Sequence, residues 1–312
     1  MGQIWQNTGH SGHKVRFATS IRKMDPMANY RKQLIVRPGK QVDLTRINPH
    51  WHDKYESHKK ALPEITKNLM AMDELQYLMY AENRHSLLIV LQGLDGAGKD
   101  GVIRHVLSAM NPQGCVVTGF KQPTPEELSH EFLWRVHPHS PSKGAVAIFN
   151  RSDYEDVLIT RVHKNISAKE CSNRYRLIND FEKLLFEENN TTILKFFLHI
   201  SKEEQLSRFG KRLNDPARRW KISEGDYKER EYWYAYLKAY EHLLGHTSTQ
   251  HAPWFIIPSD HKWFRNLAIS QIITHTLDNL KMKLPLPVVD IGKIRRKYHR
   301  EETSAKHGSD SQ

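Results

Sequence analysis

The sequence predicts an α/β fold: a parallel five-stranded sheet with helices on both faces, a three-layer αβα sandwich. Three observations predict it. Short apolar runs recur at 86–92, 115–120, 145–149, 192–199 and 254–258, each the length of a buried strand. Helical patterns separate the runs, as crossovers between parallel strands require. The first run leads into a glycine-rich turn that opens a helix, the shape of a phosphate-binding strand–loop–helix unit. Ligands of such a sheet sit at the carboxyl ends of its strands.

Residues 1–27 are polar and aperiodic, and read as a mobile basic arm, free or laid on a neighbouring subunit. The main domain spans 28–285. It begins with an extended segment and turn over 28–50, where Leu34-Ile35-Val36 precede Pro38-Gly39. Residues 60–83 place Leu62, Ile65, Leu69, Met72, Leu75, Leu78 and Met79 three and four apart, on one helix face. A helix over 98–110 follows the glycine-rich turn. Thr124 caps another that opens at Pro125, with Glu126 and Glu127 in its first turn. Helices follow at 154–163 and 168–188. Ser201 and Glu204 have the spacing of a capping box for the next. Helices at 229–244 and 260–282 complete the domain. The charged tail, 286–312, is expected to be disordered.

Hydrophobic residues make up 38% of the 312 and charged residues 26%, enough apolar content for a packed core. No apolar run approaches the length of a membrane span. Met1-Gly2-Gln3-Ile4-Trp5 carries no apolar secretory segment. Cys115 and Cys171 lack metal-ligand spacing and read as reduced thiols, so a cytoplasmic compartment is expected. Net charge is +12, and the excess is concentrated in residues 1–50 and 208–221. That concentration calls for a polyanionic partner.

The turn reads Gly93-Leu94-Asp95-Gly96-Ala97-Gly98-Lys99-Asp100. It is one residue short of the phosphate-loop signature, which ends in Ser or Thr. Gly93, Gly96 and Gly98 let the backbone curl, so that amides of the loop, Ala97 among them, point at a phosphate. Lys99 adds a mobile point charge. Asp100 replaces the hydroxyl that usually meets the metal, and Asp95 is a second carboxylate within the loop. A carboxylate facing a polyanion is unfavourable unless a cation lies between, so the loop predicts Mg²⁺ held in part by Asp95.

The third strand ends in Asn150-Arg151-Ser152-Asp153-Tyr154-Glu155-Asp156. A phosphoryl-transfer site needs a further metal or base carboxylate here, and three are available. Their alternative role is an acid-rich helix start. Arg151, directly after a buried strand, is placed for a phosphate. Lys121 ends the second strand and suits either phosphate or solvent. Residues 208–221 hold Arg208, Lys211, Arg212, Arg218, Arg219 and Lys221 against one acid. Such cations repel one another without an anion, which suggests a lid over phosphates, hinged at Gly210 and Pro216. The aromatic stripe Tyr232, Trp233, Tyr236, Tyr240 reads as core or subunit interface before base stacking. The 19 histidines show no metal-binding motif.

Taken together, the 93–101 loop, the 150–156 segment and the cationic 211–221 stretch resemble family-2 polyphosphate kinases. Glu126-Glu127-Leu128 with Phe132-Leu133-Trp134-Arg135, and Ala252-Pro253-Trp254 with Pro258-Ser259-Asp260 and Lys262-Trp263, resemble them too. The resemblance runs from about residue 30 to 282. It implies a thymidylate-kinase-like (phosphate-loop kinase) fold and Mg²⁺-dependent phosphoryl transfer between inorganic polyphosphate and nucleotides. Mn²⁺ is an allowed substitute for the metal. By position, Asp95 and Lys99 match the family's loop carboxylate and lysine, and Arg151 its arginine. Arg208, Lys211, Arg212 and Lys221 match its cationic lid, with Arg218 beside them. Asp95 and Glu155 are the implied metal ligands. Asn150 with Glu155-Asp156 resembles the branch that accepts both AMP and ADP, and guanine nucleotides are further candidates. Asp153 departs from the family pattern and would add negative charge near the site. A homodimer or homotetramer is implied.

The alternative is an ATP-dependent nucleoside monophosphate kinase, which explains the loop but neither Asp100 nor so many lid cations. A nucleic-acid binder would leave Asp95 and Glu155 facing phosphate to no purpose, so nucleic acid is not an expected partner.

Overall fold

The computed structural model describes residues 29–309 of the chain; the basic arm expected at 1–27 lies outside them. The five strands form where the apolar runs predict them: β1 Ser86–Gln92, β2 Cys115–Gly119, β3 Val146–Asn150, β4 Thr191–His199 and β5 Trp254–Pro258. All pair in parallel, in the order β2-β3-β1-β4-β5. Strand β1 is central and buried throughout, in register with Val146 through Leu87 and with Thr191 through Ser86. A strand covered on both faces must be apolar at every position, which is why Leu87 to Leu91 show no alternation. The chain leaves β1 toward one edge and returns on its other side as β4. The carboxyl end of β1 therefore opens into the crevice where the connections diverge.

The helices are α1 Tyr30–Gln33, α2 His58–Glu82, α3 Lys99–His105, α4 Pro125–Ser129, α5 Tyr154–Val162, α6 Ala168–Asn189, α7 Lys202–Asn214, α8 Glu224–Glu231, α9 Trp233–Thr247, α10 Lys262–Asn279 and α11 Ile291–Ser309. Among the described residues no helix is long and apolar enough to cross a membrane. The cap expected at Thr124 forms, and Glu127 completes it as a capping box. At Ser201 only half of a box forms. Its hydroxyl caps Glu204, but the Glu204 carboxylate turns to Arg208, and Asp260 accepts from the Ser201 amide instead, at 2.9 Å.

Four segments differ from the sequence reading. Tyr30–Gln33 coils into a short helix before the extended piece. Leu34–Val36 then runs antiparallel to β5, with Val36 N–H donating to Trp254 O and Ile256 N–H to Leu34 O, which closes that sheet edge. The single helix expected over 229–244 is two: a capping box of Ser223 and Asp226 starts α8, which ends at the C-cap Tyr232, where α9 begins. The 98–110 helix ends at His105 and gives way to a 3₁₀ turn at Leu107–Ala109. The tail, expected to be disordered, is helical over Ile291–Ser309, and the side chains of residues 291–305 are largely exposed. Charge pointed to disorder, but Lys, Arg and Glu also have high helix propensity, and that decides the local backbone.

The core contains an ionic cluster centred on Lys195. Lys195 on β4 is fully buried and donates to Glu182 at 2.6 Å, to Tyr154 OH at 2.9 Å and to Thr247 O at 2.7 Å. All three ammonium protons are used, which is the condition for burying such a charge. The cluster pins α5, α6 and α9 to β4. Asp153 is buried and feels the charges of Glu182 and Lys195 in this cluster. Burial first, then the Glu182 carboxylate, pushes the Asp153 carboxyl up to about 7. The full negative charge expected of Asp153 near the site is thus reduced by its surroundings.

Candidate active site

The phosphate loop leaves β1 at Gly93. A Cβ there would lie 2.8 Å from Leu198 O, and φ is +147°, so only glycine fits the turn. Lys99 opens α3 and folds back over the loop, where its Nζ donates to Gly93 O at 2.5 Å. It is buried. Burial first, and then the Arg151 charge, lowers its pKa, against the pull of Asp95 and Glu155.

Arg151 is the geometric centre. Its φ of +65° places a non-glycine residue in the left-handed region, a strained state held by the Arg151 N–H bond to Leu91 O. That backbone turn aims the side chain at the loop instead of continuing β3. The guanidinium meets Asp95 Oδ1 at 2.6 Å and Glu155 Oε2 at 3.8 Å. Glu155 is lifted by burial, and Arg151 and Lys99 oppose the lift. Of the three carboxylates after β3, Glu155 alone turns to the loop. Asp156 faces the cationic side of Arg135 and Arg174, and Asp153 faces the Lys195 cluster.

These groups line a pocket of about 170 Å³, walled by Asp95, Arg151, Glu155, Glu229, Trp233 and Tyr236, among others. Trp233, Tyr236 and Tyr240 are buried, as expected for core residues, yet they also line this pocket. Gln205, Asp226, Glu229 and Arg230 complete it and were missed in the sequence. Gln205 donates to Asp95 O at 2.8 Å, and Arg230 donates to Gln205 Oε1 at 2.7 Å. Their one available signal was their position beside the basic 208–221 stretch.

The expected lid residues divide. Arg208 lies apart from the exposed cations of the stretch. It is buried and spends its donors on Gly96 O, Ala97 O, Ser259 O and Asp260 O, bracing the loop from beneath. Four carbonyls and Glu204 satisfy it, so it has no fork to offer a ligand. Gly210 is no hinge either, since it lies inside α7. Lys211 and Arg218 are exposed, Arg218 paired with Asp215 at 2.8 Å. Arg212 lies over the Phe209 ring and donates to Lys221 O. Lys221 reaches Asp100 Oδ2 at 2.9 Å, and Asn150 donates to Asp100 Oδ1 at 3.1 Å. The Asp100 side chain is therefore directed to the lid, and those partners lower its pKa. Lys121 is exposed, and its carbonyl accepts from Arg135.

Comparison with known proteins agrees with this geometry. The profile of the family described as Polyphosphate kinase 2 matches residues 53–285. An AMP/ADP-polyphosphate phosphotransferase from Meiothermus ruber is 44% identical over 264 residues, covering 84% of this chain and 98% of that protein. An ADP-polyphosphate phosphotransferase from Rhodopseudomonas palustris is 43% identical over 270 residues, covering 81% and 92%. The crystal structure of polyphosphate kinase 2 from Arthrobacter aurescens superposes with a TM-score of 0.83 at 39% identity, covering 87% of this chain and 96% of that one. A phosphate loop at the carboxyl end of a central strand, an arginine between two carboxylates above it, and this likeness over nearly the whole domain lead to one conclusion: the chain belongs to the polyphosphate kinase 2 family.

Proposed function

We propose that the protein transfers a phosphoryl group between inorganic polyphosphate and adenine nucleotides, converting AMP to ADP and ADP to ATP; guanine nucleotides are further acceptors to test. The observation that carries this reading is the Asp95–Arg151–Glu155 cluster set over the phosphate loop, whose Asp100 is held by the lid cation Lys221. The acceptor is a phosphate oxygen, already anionic at neutral pH, so no side chain need remove a proton. A bond forms from that oxygen to the terminal phosphorus of the chain, and the bond to the shortened chain breaks. Lys99 and Arg151 neutralise charge on the group in flight, and α9 aromatics hold the acceptor in line. The exposed cations Lys211 and Arg218 receive the rest of the chain.

The carboxylates of Asp95 and Glu155 would hold Mg²⁺, or Mn²⁺ in its place. Among the described residues no three His, Cys, Asp or Glu groups converge as a closed metal cage. Two carboxylates facing a phosphate loop nevertheless fit Mg²⁺, which takes one or two carboxylates and completes its shell with phosphate oxygens and water. When bound it supplies charge neutralisation on the phosphates. Asp95→Asn is expected to shift the metal concentration for half-maximal turnover upward about 10-fold or more. An unchanged metal titration would remove Asp95 from this role. A second copy of the chain is a proposed partner, supported by the β-branched residues Val116 and Val117 exposed on the free β2 edge.

The test of the activity is AMP with Mg²⁺ and either long-chain polyphosphate or ATP as donor. Turnover with ATP alone would make the protein an ordinary nucleotide kinase. The lid gives a second check. Lys211→Ala with Arg218→Ala should flatten the slope of log KM for polyphosphate against log salt by about 1–2, since fewer counterions are released. The KM for AMP should scarcely respond. Equal changes in both KM values would show that these cations are not a polyphosphate track.

A further inference from the structure

Two guanidiniums are buried beneath the phosphate loop, and one of them has no anion. Arg208 is satisfied by four carbonyls and by Glu204. Arg265 on α10 is 2% exposed. Its Nε and Nη2 donate only to Asn266 Oδ1, at 3.2 and 2.9 Å, and its Nη1 lies 3.5 Å from Ala97 O. Among the described residues no carboxylate is within ion-pair distance of it. The charged and titratable groups that face it, Arg208, Lys262 and His105, are all cationic or basic. Burial first, and then Arg208, lowers its pKa to about 9, so it remains charged at neutral pH. Burying a charge with no counter-ion is strongly unfavourable.

The loop is built to admit this charge. A Cβ on Gly98 would lie 2.0 Å from Arg265 Nη1, and one on Gly101 would lie 3.0 Å from Nη2. Any side chain at 98 would expel the guanidinium, and one at 101 would push it. On the function proposed above, phosphates bind at the other face of this thin stretch of backbone.

We propose that Arg265 is a positioning residue for phosphoryl transfer, its guanidinium seated against the inner face of the loop by Gly98 and Gly101, where oligophosphate bound on the outer face supplies the anion it lacks. The proposal rests on the loop being the phosphate site, whichever donor is used. It makes the loop's preference for anions depend on a residue 167 positions away in sequence, counted from Gly98 to Arg265. It also gives opposite signs to two measurable quantities. Removing the charge relieves the free protein and weakens the bound state, because both effects come from the same uncompensated cation.

The test uses the full chain and inorganic tripolyphosphate as probe, with affinity from titration calorimetry and melting temperature with and without the probe. Arg265→Met keeps the stem and removes the charge. It should melt no lower than wild type when free, yet bind tripolyphosphate about tenfold more weakly or worse, the scale for losing one charge near an anion at low local dielectric. Arg265→Lys restores charge without the fork and should recover part of the affinity. Gly101→Ala raises helix propensity and crowds the guanidinium, so it should weaken binding several-fold without lowering the free melting temperature. Affinity within twofold of wild type in Arg265→Met, or a parallel loss of free stability and affinity, overturns the proposal. If Arg265→Met does not fold, Gly101→Ala decides: unchanged affinity there overturns it. A wild-type chain indifferent to tripolyphosphate overturns the phosphate reading of the loop itself, and this inference with it.

Discussion

Arg151→Gly is expected to lower turnover by about 10³-fold or more while the domain still folds, the scale on which an arginine at a transferring phosphoryl group acts. Two features set this expectation. The guanidinium is the cation that Asp95 and Glu155 share in the free protein, and it is held at the mouth of the phosphate loop. The backbone at 151 has φ of +65°, which costs a non-glycine residue roughly 1–2 kcal/mol. Glycine removes that strain, and the relief offsets part of the loss of the ion pairs. Function and stability are therefore separated within one variant. Arg151→Lys is the companion: it keeps one charge and loses the planar fork, so its activity should fall between the two. Steady-state turnover of AMP and ADP with polyphosphate, beside thermal melts, checks both. Turnover of Arg151→Gly within tenfold of wild type would exclude Arg151 from stabilising the transferring group.

Lys99→Ala is expected to reduce turnover by about 10²–10³-fold, the range for removing one donor aimed at developing charge. Here the structure adds a complication that the motif does not show. Lys99 is buried and bonded to Gly93 O, so it also braces the loop it serves. Losing that bond should cost about 1–3 kcal/mol of stability, as for a hydrogen bond to a charged group. Lys99→Met separates the two roles, since it retains the apolar stem that fills the space below the loop. If Lys99 acts on the phosphates, both variants lose turnover to a similar degree while Lys99→Met melts closer to wild type. If turnover follows melting temperature across the pair, the lysine is a strut alone.

The readable part of this protein was what local sequence encodes. Buried parallel strands must be apolar at every position, so five runs marked the sheet and their bounds held to within one residue. The phosphate loop was legible because its chemistry needs consecutive residues, glycines for curvature and a lysine at its end. Asp95, Lys99 and Arg151 were named for the same reason: each is adjacent to a strand end or lies within the loop. The four pocket residues at 205–230 were not legible, because they reach the loop only after more than 50 residues of intervening chain have folded.

Charge likewise announced a polyanion and could not say which cations would meet it. Arg208 and Lys211 belong to one basic stretch of sequence and lie about one turn apart on α7, yet what packs around each differs. Arg208 enters the core to brace the loop, while Lys211 stays in solvent. The same division separates Glu155 from its neighbours. Three carboxylates follow β3 within six residues, and the start of α5 sends Asp153 to the Lys195 cluster, Glu155 to Arg151 and Asp156 to Arg135 and Arg174. Arg265 carried no sequence signal, since an arginine in a helix is ordinarily a surface residue. By itself, then, the sequence determined the sheet, the loop and the family, because these depend on neighbours along the chain. Only the tertiary structure decided which charges face the ligand, because helix orientation and burial are set by what packs against each face.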